Sequence, residues 1–158
     1  MLSPKSARKA DELGYTNVKV YHDGLPVWKK GKNLIYSSMK GLTTFNEKKI
    51  PYVLIDTRPA AETAKGVIAG AFAAPAASLA GIKGDFPKQK AAPVIIYGAD
   101  AEAAFGTIRG WGYKNASILE GGVAAWTAAG NALSPKAVDK TAYVPKPRPR
   151  EKPAAHSQ

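Results

Sequence analysis

No cysteine occurs anywhere in the 158 residues. Disulfides, thiolate metal sites and thiol catalysis are therefore excluded together. Histidine is nearly absent too. His22 and His156 are the only two, and neither has a second histidine or a carboxylate at ligand spacing, so no metal and no cofactor are expected. Long apolar runs are missing as well. The longest charge-free stretch, residues 66–82, is rich in Ala and Gly and contains Pro75, so no membrane span is expected. Lys5, Arg8 and Lys9 come early instead of an apolar segment, so no signal peptide is read there and the compartment stays open.

What is present is mostly alanine, glycine and positive charge. Apolar residues make up 45% of the chain, enough for one core of about a hundred residues, though an alanine-rich core buries little area per residue. The net charge of +11 is uneven: residues 1–50 carry ten Lys/Arg against four Asp/Glu, residues 51–135 seven against six, and residues 136–158 six against two. A groove for nucleic acid would place its charge on the folded body. Here the body is near neutral and the ends are basic, so solvated termini are expected and a nucleic-acid partner is not.

One phrase occurs twice. Gly14-Tyr15-Thr16-Asn17 is followed by Gly24 and Trp28, and Gly112-Tyr113-Lys114-Asn115 by Gly122 and Trp126, every matched residue shifted by 98 positions. Five turn-forming or rare residues recurring in register point to parts of two related units. Only thirteen residues precede Gly14, so the chain is expected to begin inside the first unit.

Hydrophobic periodicity places the elements. Ser3-Pro4 reads as a helix start and Gly14 as its stop. Residues 17–21 alternate as a strand, and residues 25–30 form a short helix around Trp28. A second run follows: a strand at 34–36, a helix capped by Ser37 or Ser38 to about Phe45, and a buried strand at 52–56. Then come a short helix at 59–65, a brief strand at 71–73 and a short helix after Pro75 through Leu79. A second buried strand at 93–97, a helix at 100–111, a strand at 116–119 and a final helix at 123–129 complete it. Continuous apolar strands alternating with helices predict an α/β fold: a parallel sheet with helices on both faces, joined by right-handed crossovers. The expected division is 1–33, an incomplete first unit; 34–133, a complete domain; and 134–158, a mobile Pro- and Lys/Arg-rich tail containing Pro145, Pro147, Pro149 and Pro153.

Within residues 34–133, several motifs stand in a recognisable order: Leu54-Ile55-Asp56-Thr57-Arg58, Glu62, Gly66-Val67-Ile68-Ala69-Gly70-Ala71, Ala74-Pro75, Pro93-Val94-Ile95-Ile96-Tyr97, Gly112-Tyr113, and Leu119-Glu120-Gly121-Gly122 with Trp126. This set resembles the rhodanese (thiosulfate sulfurtransferase-like) domain, and residues 3–30 resemble the last third of another copy. The resemblance implies a rhodanese-like three-layer fold with a five-stranded parallel sheet. It also implies a persulfide-forming cysteine directly after the 93–97 strand, cradled by loop amides. Gly98 stands there, and glycine carries no nucleophile. The loop is short: Gly98 and Ala99 precede Asp100, read as the N-cap of a helix holding Ala101 and Glu102 in its first turn, so carboxylates would occupy the anion's place. The resemblance also implies a histidine where Val67 stands.

Asp56, Arg58 and Glu62 are expected to be structural, with Asp56 and Arg58 locking the strand end. Gly121 and Gly122 are expected to serve backbone geometry, and Trp28 and Trp126 to anchor the last helix of each unit. Two functional readings stay open. The first is a non-catalytic rhodanese-like domain acting as a binding, structural or regulatory module. The second is the C-terminal portion of a tandem thiosulfate sulfurtransferase whose catalytic cysteine lies upstream of Met1. Residues 1–33 would meet an upstream rhodanese domain or a second copy of the chain.

Overall fold

A computed structural model describes residues 3–16, 18, 23–31, 33–139 and 143. Two helices, α1 (Ser3–Glu12) and α2 (Gly24–Lys30), precede β1 (Tyr36–Ser37) and α3 (Met39–Glu47). Then follow β2 (Val53–Asp56), α4 (Ala60–Thr63), β3 (Ala71–Ala73), a 3₁₀ segment (Ala76–Asp85), β4 (Val94–Tyr97), α5 (Ala101–Gly110), β5 (Ala116–Leu119) and α6 (Gly122–Ala128). The five strands form one parallel sheet in the order β1-β5-β4-β2-β3. The strand expected at 17–21 lies outside the described residues apart from Val18.

The sheet is buried on both faces because its strand residues alternate between two cores. Val53 and Ile55 of β2, Val94 and Ile96 of β4, and Ala116 and Ile118 of β5 face one cluster, closed by Ala104, Phe105 and Ile108 of α5. Leu54, Ile95, Tyr97 and Leu119 face the other, closed by Leu42 of α3 and Trp126 of α6. The period of two in a strand and the absence of polar residues at these positions account for this sandwich. Ser38 caps α3, its hydroxyl accepting from the Gly41 amide at 3.2 Å.

Two elements differ from expectation. The short helix after Pro75 is a 3₁₀ segment reaching Asp85. Ala76, Leu79 and Ile82, which pack on the first cluster, recur every three residues, the period that keeps one face of a 3₁₀ turn against the sheet. Packing also continues past residue 133. Ser134 pairs with Val67 through two backbone bonds of 2.8 and 2.9 Å, the Val138 amide donates to the Ala71 carbonyl at 2.9 Å, and Tyr143 lies on the first cluster. The rest of the expected tail, residues 144–158, lies outside the described residues.

The 98-residue shift reaches further than the sequence phrase. α1 and α5 are both ten residues long and begin at Ser3 and Ala101, and α2 and α6 are both seven long and begin at Gly24 and Gly122. Trp28 Nε1 donates to the Leu34 carbonyl at 2.9 Å, and Trp126 Nε1 to the Ala132 carbonyl at 2.9 Å. Asn33 and Asn131 each donate from Nδ2 to the carbonyl of their own tryptophan, at 3.1 and 3.3 Å. Both indoles thus pin the chain leaving their helix.

The burial of the two rings differs, Trp126 being 9% exposed in the second cluster and Trp28 half-buried. Trp126→Ala is therefore expected to cost about 3–5 kcal/mol. Trp28→Ala should cost on the order of 1–2 kcal/mol, mainly one hydrogen bond and part of a ring's burial. Urea denaturation of the two variants checks this, and equal losses would contradict it.

Candidate functional site

In an open parallel sheet, ligands sit outside the carboxyl ends of strands where the chain reverses its direction of strand addition. Here β3 is added on one side of β2 and β4 on the other, so the crevice opens above the ends of β2 and β4. A cleft of about 520 Å³ lies there, lined by Arg58, Glu62, Tyr97, Gly98, Glu120 and Gly121 among others. A hollow of about 470 Å³ adjoins it and includes Tyr36, Asp100 and Glu102. The structure thus gathers the residues of the 98–102 loop with Arg58, Glu62, Gly121 and Gly122 at one place. Asp56 and Trp126 lie beneath, in the core.

The floor is an ion pair. Asp56 is completely buried at the end of β2. Arg58 donates to it from its backbone amide at 3.0 Å, from Nε at 3.0 and 3.1 Å, and from Nη2 at 2.7 Å; Nη2 also reaches the Gly66 carbonyl at 2.7 Å. The hydrogen bond to Asp56 is the largest cause holding the Arg58 pKa above its usual value. The Tyr97 hydroxyl accepts from the Ile68 amide at 3.0 Å. Burial, reinforced by a hydrogen bond with Asp56, raises the phenol pKa far above the ordinary range, so it stays protonated. Removing one member of such a buried pair leaves an uncompensated charge, typically costing about 3–5 kcal/mol. Arg58 is thus held by β2 and the Gly66 turn.

The rim is acidic. Glu62, Asp100, Glu102 and Glu120 border the two hollows, and Arg58, the one cation among their described lining residues, is already neutralised by Asp56. Glu62 pairs with Lys65 at 2.8 Å, which holds its carboxyl below the usual value. Tyr36 donates to Glu102 at 3.2 Å; its phenol is pushed up, by desolvation first and then by that carboxylate. A field of this sign disfavours an anionic ligand.

Asp100 departs from its expected role. It stands at the N-cap position of α5, but its side chain makes no capping hydrogen bond. Its ψ of 26° has already turned toward the helix, whereas a capping side chain reaches back from an extended residue, as Ser38 does at ψ 160°.

Gly98 is the most constrained residue of the loop. Its φ is +124°, and a Cβ placed on it would overlap Thr57 Oγ1 and come within 2.9 Å of the Arg58 backbone nitrogen. Thr57 is buried and its hydroxyl donates to the Tyr97 carbonyl at 3.0 Å. The volume in which any side chain at position 98 would begin is therefore filled by a threonine bonded to the neighbouring strand. Gly121 is similar, with φ +74° and a hypothetical Cβ 2.6 Å from Ala125 Cβ; it lets the chain turn from β5 into α6.

Sequence reasoning missed Thr57, Tyr97 and Tyr36. Tyr97 was detectable: a period of two places it on the same face as Ile95, and a phenol at a buried strand end needs a partner. Nothing local distinguishes Thr57. Among the described residues no group of three or more His, Asp or Glu side chains could hold a metal, and His22 and His156 lie outside those residues. No helix among them is long and apolar enough to cross a membrane.

Residues 42–129 match the family of the rhodanese-like domain. No curated protein matches the chain. Solved structures do. The Alr3790 protein from Anabaena sp. is 27% identical, with a TM-score of 0.57 over 62% of this chain and 79% of that one. The rhodanese-like domain of the same protein is 26% identical, with a TM-score of 0.50 over 58% and 96%. Thiosulfate sulfurtransferase from Pseudomonas aeruginosa shares the fold at 21% identity and a TM-score of 0.55, covering 84% of this chain but 30% of its own length. With the family match spanning more than half of its length and five parallel strands carrying helices on both faces, the chain belongs to the rhodanese-like domain family.

Proposed function

We propose that residues 34–133 act as a non-catalytic rhodanese-like module, with Gly98 in the position of the nucleophilic cysteine and a binding, structural or regulatory role. The carrying observation is steric: Thr57 fills the place where a nucleophile's Cβ would stand. The missing thiol supports the same reading, because a persulfide needs one, and so does the acidic rim, which repels thiosulfate. In this reading Asp56, Arg58, Glu62, Gly121, Gly122 and Trp126 are structural.

A second reading is compatible with the first and rests on the internal repeat. Residues 1–33 are the C-terminal remnant of another rhodanese-like unit, and the chain serves as the C-terminal portion of a tandem thiosulfate sulfurtransferase whose catalytic cysteine lies upstream of Met1. Tyr15 is 67% exposed while its counterpart Tyr113 is 1% exposed, and Leu25 is exposed while Val123 packs in the second cluster. Positions that are buried or packed on the core in the second copy thus lie bare in the first, where no covering strand is among the described residues. Coding sequence upstream of Met1 separates the readings: an in-frame rhodanese segment with a cysteine loop supports the tandem protein, and a stop codon sinks it.

Three outcomes are expected. The purified chain should form no thiocyanate from thiosulfate and cyanide above a heat-treated control. Gly98→Cys should not restore turnover and should lose about 2–5 kcal/mol of stability through backbone strain and overpacking; a stable, active variant would overturn the steric reading. In hydrogen exchange, amides of α1 and α2 should exchange at least about tenfold faster than those of β2 and β4, since few buried contacts hold them. Equal protection in a monomer would count against the remnant.

A further inference from the structure

We propose a second ligand site, for a phosphate-bearing small molecule, in the cleft between α2 and α5. This cleft of about 500 Å³ has Pro26, Lys29 and Lys30 on one wall and Phe105, Arg109 and Lys114 on the other, with Gly106, Gly110 and Gly112 between them. Its size is that of a small-molecule pocket.

Among the described residues, four cations line it and no carboxylate does. Arg109 joins the walls: Nη1 donates to the Lys114 carbonyl at 2.7 Å and Nη2 to the Lys29 carbonyl. Both acceptors are neutral, so the guanidinium keeps its charge and its remaining donors. Among the described residues, Lys29 Nζ reaches only the neutral amide oxygen of Asn115, at 3.4 Å. Among the described residues none of the four has a carboxylate within ion-pair distance.

Basic residues at helix ends are often explained by the helix dipole. α2 and α5 both end here, and each contributes about half a negative charge. Two such ends offset roughly one of the four positive charges and leave about three. Diphosphate carries a charge of comparable size at neutral pH. Arginine offers forked donors and lysine point charges, the pairing that suits phosphate oxygens. Gly106 and Gly110 have no atom within 4 Å of where a Cβ would be, so the wall between the cations is bare backbone a ligand can approach. The field here is opposite in sign to the acidic rim at the strand ends, and the proposal is independent of the reading given for that rim.

The ligand would touch both α2 and α5 and so fasten residues 24–30 to the sheet domain. The test is isothermal titration of the full chain with inorganic diphosphate at constant ionic strength, paired with hydrogen exchange of α2. Saturable one-site binding that slows exchange in α2 is expected. The double variant Lys30→Glu/Lys114→Glu changes two exposed side chains and should bind at least about tenfold more weakly with an unchanged melting temperature. A variant with Lys146, Arg148, Arg150 and Lys152 all replaced by glutamine should bind as the parent does. Absence of saturable binding would overturn the proposal. So would loss of binding in the tail variant with retention in the cleft variant, or full displacement by sulfate at the same ionic strength.

Discussion

Burial of both faces of β2, β4 and β5 is the constraint from which the other features follow. All four residues of each strand are buried, so the strands are apolar apart from Asp56 and Ser117 and helices cover both sides. Charged chemistry is then left to the strand ends, while Ser117 inside β5 pairs its hydroxyl with that of Ser37. The one buried charge at such an end, Asp56, needs full satisfaction in a medium where an unpaired carboxylate is costly. Arg58 supplies it with three donors and is thereby removed from service as a free cation.

That arrangement sets the character of the cleft above the sheet. The fold still provides the crevice at the switch between β2 and β4. Its interior is packed by Thr57 against Gly98, its cation is consumed by Asp56, and its border is lined by carboxylates. The packing around position 98 leaves no room for a side chain there.

The two copies of the repeated phrase show what the rest of the unit contributes. Helix lengths and the tryptophan-to-carbonyl bond are the same in both, since they depend on local sequence: a glycine stop, a helix, and an indole pinning its own exit. Burial is not the same, because it depends on strands and helices distant in the chain. The first copy instead rests on α5 through Arg109 and the Lys29 carbonyl, and this contact gathers the unpaired cations of the α2–α5 cleft.

The sequence by itself determined the fold class, most element positions, the repeat and the impossibility of thiol chemistry. These follow from period-two apolar runs, glycine and proline punctuation and a residue count, which are local or compositional. Asp56 and Arg58 were legible as a pair for the same reason: they are two residues apart at a strand end. Tertiary structure alone decided that Thr57 closes the space at Gly98, that Asp100 does not cap α5, that the 3₁₀ face follows the sheet to Asp85, and that Lys29, Lys30, Arg109 and Lys114 share one cleft. Each of these depends on a distance between segments or on a backbone angle set by packing. No residue's identity encodes such a quantity until the sheet has brought its neighbours together.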